Sequence, residues 1–232
     1  MHSLRGLLIA LLGLFTGLDA AAATAEARII SWRDAIERGY NDRNSEAIEA
    51  AITALGQEPG LSAAERDAAV FYSAFGRLRQ ATLPGISSGR ARDYLEQCLE
   101  SLAPLVERRP DYAVARALHA SCLGASAGRY LLRAATRGMA ARREIAAAVA
   151  MAPDDPWVVF QDGVGDFMTP AMFGGDTERA LGKLRRAAEL FRASRPAGAP
   201  AFGESETWLY IGRVHLAAGR RDEARAALEQ AR

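Results

Sequence analysis

The stretch Glu204–Arg232 constrains the fold more than any other part of the chain. Trp208, Ile211, Gly212 and His215 recur at i, i+3, i+4 and i+7, a spacing that puts them on one face of a helix. Gly219 follows as a helix stop, and Asp222 stands where it can cap or charge the start of the next helix. Ala224, Ala227, Leu228 and Ala231 then form a second stripe of small and apolar residues. Gly212, lacking a side chain, lets the second helix approach the backbone of the first. The segment therefore reads as two antiparallel helices packed closely together.

The second-helix pattern recurs upstream. Gly175, Ala180, Leu184 and Ala187 repeat the offsets of Gly219, Ala224, Leu228 and Ala231 at a separation of 44 residues. Ala141, Ile145, Ala148 and Pro153 give another copy, as do Cys98, Leu102, Leu105 and Pro110, and Ala47, Ala51, Ala54 and Pro59. In these three the proline closes the helix, because it cannot continue the hydrogen-bond ladder. Five hairpins are predicted, over 28–41 with 45–56, 62–81 with 90–109, 111–127 with 129–151, 155–168 with 176–194, and 204–218 with 222–231. The Pro/Gly-rich stretch from Arg195 to Gly203 reads as a long loop.

The run Trp208-x2-Ile211-Gly212-x2-His215 followed by Ala224 and Leu228 resembles one tetratricopeptide repeat, with His215 where the family prefers Tyr. The resemblance implies an all-α fold, a right-handed superhelical stack of about five antiparallel helical hairpins in the manner of a TPR-like solenoid. It also implies a concave wall lined by the first helix of each pair. Glu206, Leu209 and Arg213 are expected on that wall, with Trp157, Phe160 and Val164 as their equivalents in the fourth hairpin. The segment Pro170-Ala-Met-Phe-Gly-Gly-Asp176 is similar to one in exported TPR-like proteins, among them helical accessory components of tripartite (TRAP-type) periplasmic transporters. Those accessories are lipoproteins, and this chain lacks the lipid-bearing cysteine. Read as local structure, the same segment is a tight turn with Gly174 and Gly175 at positive φ and Asp176 capping the next helix.

Composition agrees with a helical stack. Half the residues are apolar, alanine dominates that half, and aromatics are 7%; alanine is the strongest helix former. Alternating β-branched runs are missing, so no sheet is expected. The charges nearly cancel, at +1. No nucleic-acid partner is therefore expected, since that needs a basic stripe, and no polybasic membrane patch either.

The start of the chain reads as a cleaved secretory signal peptide over 1–25, followed by a repeat domain over 26–232. Arg5 precedes an uncharged, mainly Leu, Ile, Gly and Phe run of 13 residues, Gly6 to Leu18. That run is shorter than the roughly 20 residues a helix needs to span a bilayer. Ala21/Ala23 and Ala23/Ala25 then supply Ala-x-Ala exits. The expected location is periplasmic or secreted, with no membrane span in the mature chain.

Little chemistry is visible. No nucleophile elbow, phosphate loop, zinc-protease helix or calcium loop is present. Asp162 and Asp166 are an i, i+4 carboxylate pair, read as solvated. His215 falls on the repeat's packing face. His119, Cys122 and Cys98 could offer three metal ligands, but no fourth is evident, and neither metal nor cofactor is expected. Cys98 and Cys122 lie 12 residues on either side of Pro110, at the same height in an antiparallel hairpin, about 18 Å from the turn. An exported protein meets oxidising conditions, so a disulfide is one reading; two buried free thiols are the other.

The expected function is that of a periplasmic interaction scaffold without catalysis. Its partner would be another envelope or periplasmic protein, such as a transport component. An alternative is an accessory protein binding a small apolar ligand between helices, in a pocket lined by alanines and the Phe/Met cluster of Phe160, Phe167 and Met168. Ala231 lies next to the final residue, so the last hairpin is also expected to leave an apolar edge suited to self-association.

Overall fold

The computed structural model describes residues 23–194 and 203–231. The signal peptide expected over 1–25 lies outside the described residues except for 23–25, which open the first helix; most of the loop expected at 195–203 lies outside them as well.

The described chain is all-helical, with no strand among the described residues. Its α-helices are α1 (residues 23–41), α2 (Ser45–Gly56), α3 (Ala63–Thr82), α4 (Ser88–Arg108), α5 (Ala113–Ala127), α6 (Ala134–Met151), α7 (Pro156–Met168), α8 (Thr177–Ser194), α9 (Glu204–Ala217) and α10 (Arg221–Gln230). Two 3-10 turns, Leu131–Arg133 and Ala171–Phe173, precede α6 and α8.

Local chemistry sets the boundaries. Asn44 accepts from Ala47 N to start α2, and Ser62 and Glu65 close a reciprocal capping box at α3. Asp155 accepts from the amides of Trp157 and Val158, with Pro156 at the first turn of α7. Gly219 at φ 75° ends α9. There Arg220 N donates to His215 O and Gly219 N to Leu216 O, a Schellman pair that satisfies the last carbonyls.

Within the repeat domain expected over 26–232, the residues gather into two compact units, divided in sequence inside α4 between Tyr94 and Leu95. In the first unit Trp32, Ile36, Ile48, Ile52, Phe71 and Phe75 are buried. Arg79 is buried with them. Its guanidinium donates to Glu37 Oε1 from Nε at 3.0 Å and from Nη2 at 2.8 Å, and lies over the Tyr40 ring. Gln80, fully buried, donates to Ser45 O and accepts from Arg77, which also pairs with Glu49. These groups satisfy one another, as buried polar atoms must.

In the second unit consecutive helices pack side by side, α5 on α6, α7 on α8, α8 on α9 and α9 on α10. Cys98 of α4 and Cys122 of α5 form a disulfide with a Cα–Cα distance of 6.4 Å. The pairing leaves neither thiolate to join His119 as a metal ligand. Leu102, Leu118, Phe160, Leu184, Ile211 and Val214 fill the core of this unit.

Candidate interaction surface

The α7–α8 and α9–α10 hairpins share one close contact. A Cβ placed on Gly163 would stand 3.0 Å from Leu184 Cγ, and one on Gly212 would stand 2.8 Å from Leu228 Cγ. Each glycine thus seats a leucine of the following helix against bare backbone. From glycine to leucine is 21 residues in the first hairpin and 16 in the second. The difference of five is taken up by the turn around Ala171–Phe173.

That turn is built tightly. Gly174 has φ 86°, and a Cβ on Gly175 would lie 1.7 Å from Thr169 O. Gly174 therefore needs glycine for its dihedral, whereas Gly175 needs it for space. The sequence predicts positive φ at both, and the structure has it only at Gly174. Asp176 caps α8 through Arg179 N at 2.8 Å, as expected.

Asp162 and Asp166 are not simply solvated. Lys183 Nζ lies 2.7 Å from Asp162 Oδ2 and 2.8 Å from Asp166 Oδ2. Arg179 donates to both oxygens of Asp166, at 2.7 and 2.8 Å. Burial raises the Asp166 carboxyl, but the hydrogen bonds from Arg179 and Lys183 outweigh it and hold the group below its ordinary range. A carboxylate pair neutralised in this way serves the hairpin register and is poorly suited to proton transfer.

The six residues expected on the concave wall divide into two groups. Trp157 is 6% exposed and Phe160 2%, so neither offers a surface to a partner. The reason lies in the neighbours: α7 packs against α5, α6, α8 and α9, and the Tyr210 and Phe160 rings meet in a T-shaped pair at a centroid distance of 5.6 Å. Val164 and Glu206 are half-buried, while Leu209 and Arg213 are exposed. Leu216, one turn beyond Arg213, extends the exposed stripe, with Leu209 at 42% and Leu216 at 52%. Arg213 lies over the Tyr210 ring at 4.7 Å and the Phe167 ring at 5.8 Å. The repeat pattern does not single out Tyr210, Phe167 or Leu216. The i, i+3, i+7, i+10 spacing of Glu206, Leu209, Arg213 and Leu216 is the signal that could have found the last of them.

Ile211 and Gly212 are buried beside Ala224, and Leu228 is half-buried. Trp208 is only half-buried. It lines an open cleft of about 460 Å³ between α8, α9 and α10, together with Arg185, Arg192, Ile211 and His215. This is not the alanine and Phe/Met pocket expected for a small apolar ligand: Phe160 is enclosed in the core, and Met168 is 59% exposed. His215 is buried, and its Nδ1 has no hydrogen-bond partner among the described residues.

No protein-family model matches the chain, and no curated protein matches its sequence. Among solved structures the chain is similar to a thermophilic TPR protein in Thermus thermophilus, with TM-score 0.58 and 18% identity over 89% of this chain and 91% of that one. The fold is TPR-like. Kinesin light chain TPR-like repeats from Podosopora anserina align with TM-score 0.39 and 16% identity over 88% of this chain and 92% of that one; at that similarity the fold conclusion rests on the first. Neither likeness bears on the transporter-accessory resemblance. No helix among the described residues is long and apolar enough to cross a membrane.

Proposed function

We propose that this chain is an exported, periplasmic interaction scaffold that takes a partner protein on the open face of α9 and performs no catalysis. The observation that carries the reading is the exposed Leu209–Arg213–Leu216 stripe, with Arg213 stacked over Tyr210 and Phe167. A guanidinium already ordered on two aromatic rings, flanked by apolar side chains, is the composition of an interface anchor. A TPR-like fold supports the reading, since such stacks offer extended faces for protein segments. The Cys98–Cys122 disulfide supports export, because such bonds persist in oxidising compartments. The partner is another envelope or periplasmic protein. The Pro170–Asp176 segment makes transport components the first to examine.

The test is a photo-crosslinking residue placed at Leu209 in intact cells, with a second at Arg225, which is exposed on α10, as the comparison. A discrete adduct from position 209 that is absent from 225 and is lost on adding Arg213→Glu is expected. Identical adduct patterns from both positions would refute the assignment of the face.

A further inference from the structure

The near-neutral charge of the chain conceals a local imbalance. Between Tyr112 and Arg143 there are six arginines and no Asp or Glu. Arg116 pairs with Glu144 and Arg137 with Glu96, at 2.8 and 2.7 Å, and Arg129 donates to Ala125 O. Arg133, Arg142 and Arg143 stay exposed on and just before α6. On α6 Met139 is 60% exposed, one turn from both Arg142 and Arg143, and Leu132, in the 3-10 turn before it, is 99% exposed.

The turn before α8 joins this surface. A Cβ on Gly174 would stand 2.6 Å from Arg142 Nη2, so the guanidinium lies directly against the turn. The two preceding residues, Met172 and Phe173, are 83% and 61% exposed. Nothing about the turn is loose. Phe173 N and Gly175 N donate to Pro170 O, Gly174 N donates to Ala171 O, and Arg179 Nη2 donates to Gly174 O at 2.7 Å. The adjacent carboxylates are already engaged, Asp166 by Arg179 and Lys183 and Asp176 by Arg179. A rigid turn thus projects a Met-Phe tip beside a cationic, apolar-studded helix face.

The geometry points to a docking surface for a bilayer carrying anionic headgroups, with Met172 and Phe173 entering the acyl boundary and Arg133, Arg142 and Arg143 meeting phosphates. Charge complementarity selects an anionic occupant, because Arg133, Arg142 and Arg143 are exposed on this face, while Asp166 and Asp176 beside it are held by Arg179 and Lys183. Shape selects a fluid one. A partner helix buries its apolar stripe in a groove, whereas these apolar side chains stand out from the protein on a turn and a helix face. Protruding apolar residues flanked by cations are how a peripheral protein engages an interface, and two weak signals together give stable, reversible attachment. The surface is distinct from the Leu209–Arg213 stripe and would leave it free for a partner.

The experiment is flotation of the soluble, purified protein with vesicles of phosphatidylcholine alone or with a third phosphatidylglycerol. Two double variants are carried in parallel, Met172→Asp with Phe173→Asp, and Arg142→Glu with Arg143→Glu. All four positions are exposed, and unchanged melting verifies the fold. The expected result is binding to the phosphatidylglycerol vesicles, at least about tenfold weaker for the neutral vesicles and for either double variant, and weakened by salt. Absence of binding to the charged vesicles overturns the proposal. So does binding indifferent to lipid charge and to both variants. A change of oligomeric state in the variants without vesicle binding would assign the face to a second copy and also overturns it.

Discussion

Cys98 on α4 and Cys122 on α5 are bonded to each other with their Cα atoms 6.4 Å apart, closing a loop with a sequence separation of 24. Both residues are fully buried, so the bond lies in the seam between the helices. Closing a loop of that length restricts the unfolded chain by about 3 kcal/mol. Reduction under native conditions should therefore lower the melting temperature by several degrees, and Cys98→Ala with Cys122→Ala should melt like the reduced protein. Intact mass of alkylated protein recovered from the periplasm checks both halves of the reading. It should show no alkylation without reductant and a chain that starts at Thr24 or Glu26; two alkylated thiols would exclude the bridge in that compartment.

The glycines of the second unit separate into two kinds. A leucine stands 2.8 Å from where a Cβ of Gly212 would be and 3.0 Å from that of Gly163, while Gly124 in α5 has nothing within 4 Å. Gly212→Leu should cost about 1–3 kcal/mol by overpacking. Gly124→Ala should instead stabilise by roughly 0.5–1 kcal/mol, since it only restricts the unfolded chain and favours the helix. Trp208→Ala, at a half-buried position, should cost about 2 kcal/mol, less than the roughly 3–5 kcal/mol of a buried ring. Urea unfolding of the three variants tests the ordering; a neutral Gly212→Leu would mean that α10 does not pack as described.

Periodicity made the hairpins legible because it reports which residues share a helix face. It does not report what covers that face. Glu206 and Leu209 have the same register in α9 as Trp157 and Phe160 in α7, yet only the α7 pair is enclosed, because α7 has packed neighbours on both sides. The same limit hid Arg79 and Gln80, polar residues at core positions of α3 whose partners Glu37 and Ser45 come from 42 and 35 residues earlier. The cationic face was hidden in another way. A net charge averages over the chain, and the face forms only when Arg142 meets a turn that lies beyond the whole of α7 in the sequence.

The carboxylate of Asp166 should matter more than its sequence neighbourhood suggests. It accepts two hydrogen bonds from Arg179 and faces Lys183 at 2.8 Å, with its side chain 12% exposed. Asp166→Asn should cost about 1–3 kcal/mol at neutral pH, the range for hydrogen bonds to charged groups. Removing the exposed Asp154–Arg186 pair, with side chains 74% and 53% exposed, should cost no more than about 1 kcal/mol. Because the folded carboxyl titrates below its ordinary range, its contribution is complete above about pH 4 and is lost as pH falls further. Wild type and Asp166→Asn should therefore converge in stability on acidification, and a gap that stays constant throughout the acid range would refute the assignment.

Both described histidines should make the second unit sensitive to mild acid. Burial is the main cause that lowers the basicity of His119, aided by Arg116 and opposed by Glu144. Burial also leads at His215, reinforced by Arg220 and Arg185 and opposed by Glu223 and Glu178. Each imidazole is thus neutral in the folded protein at a pH where the unfolded chain would protonate it. Stability from this source is fully present above the ordinary histidine value of about 6.5 and is lost as pH falls below it toward the lower folded values. Protonating His215 would also place a cation in the core beside Arg220 and Arg185, which Glu223 and Glu178 only partly offset. Urea unfolding at about pH 7.5 and about pH 5.5, on either side of that value, should show the wild type losing stability across the interval. His119→Gln with His215→Gln should lower stability at the higher pH yet flatten the dependence. Equal slopes for the two proteins would show that other groups carry the titration.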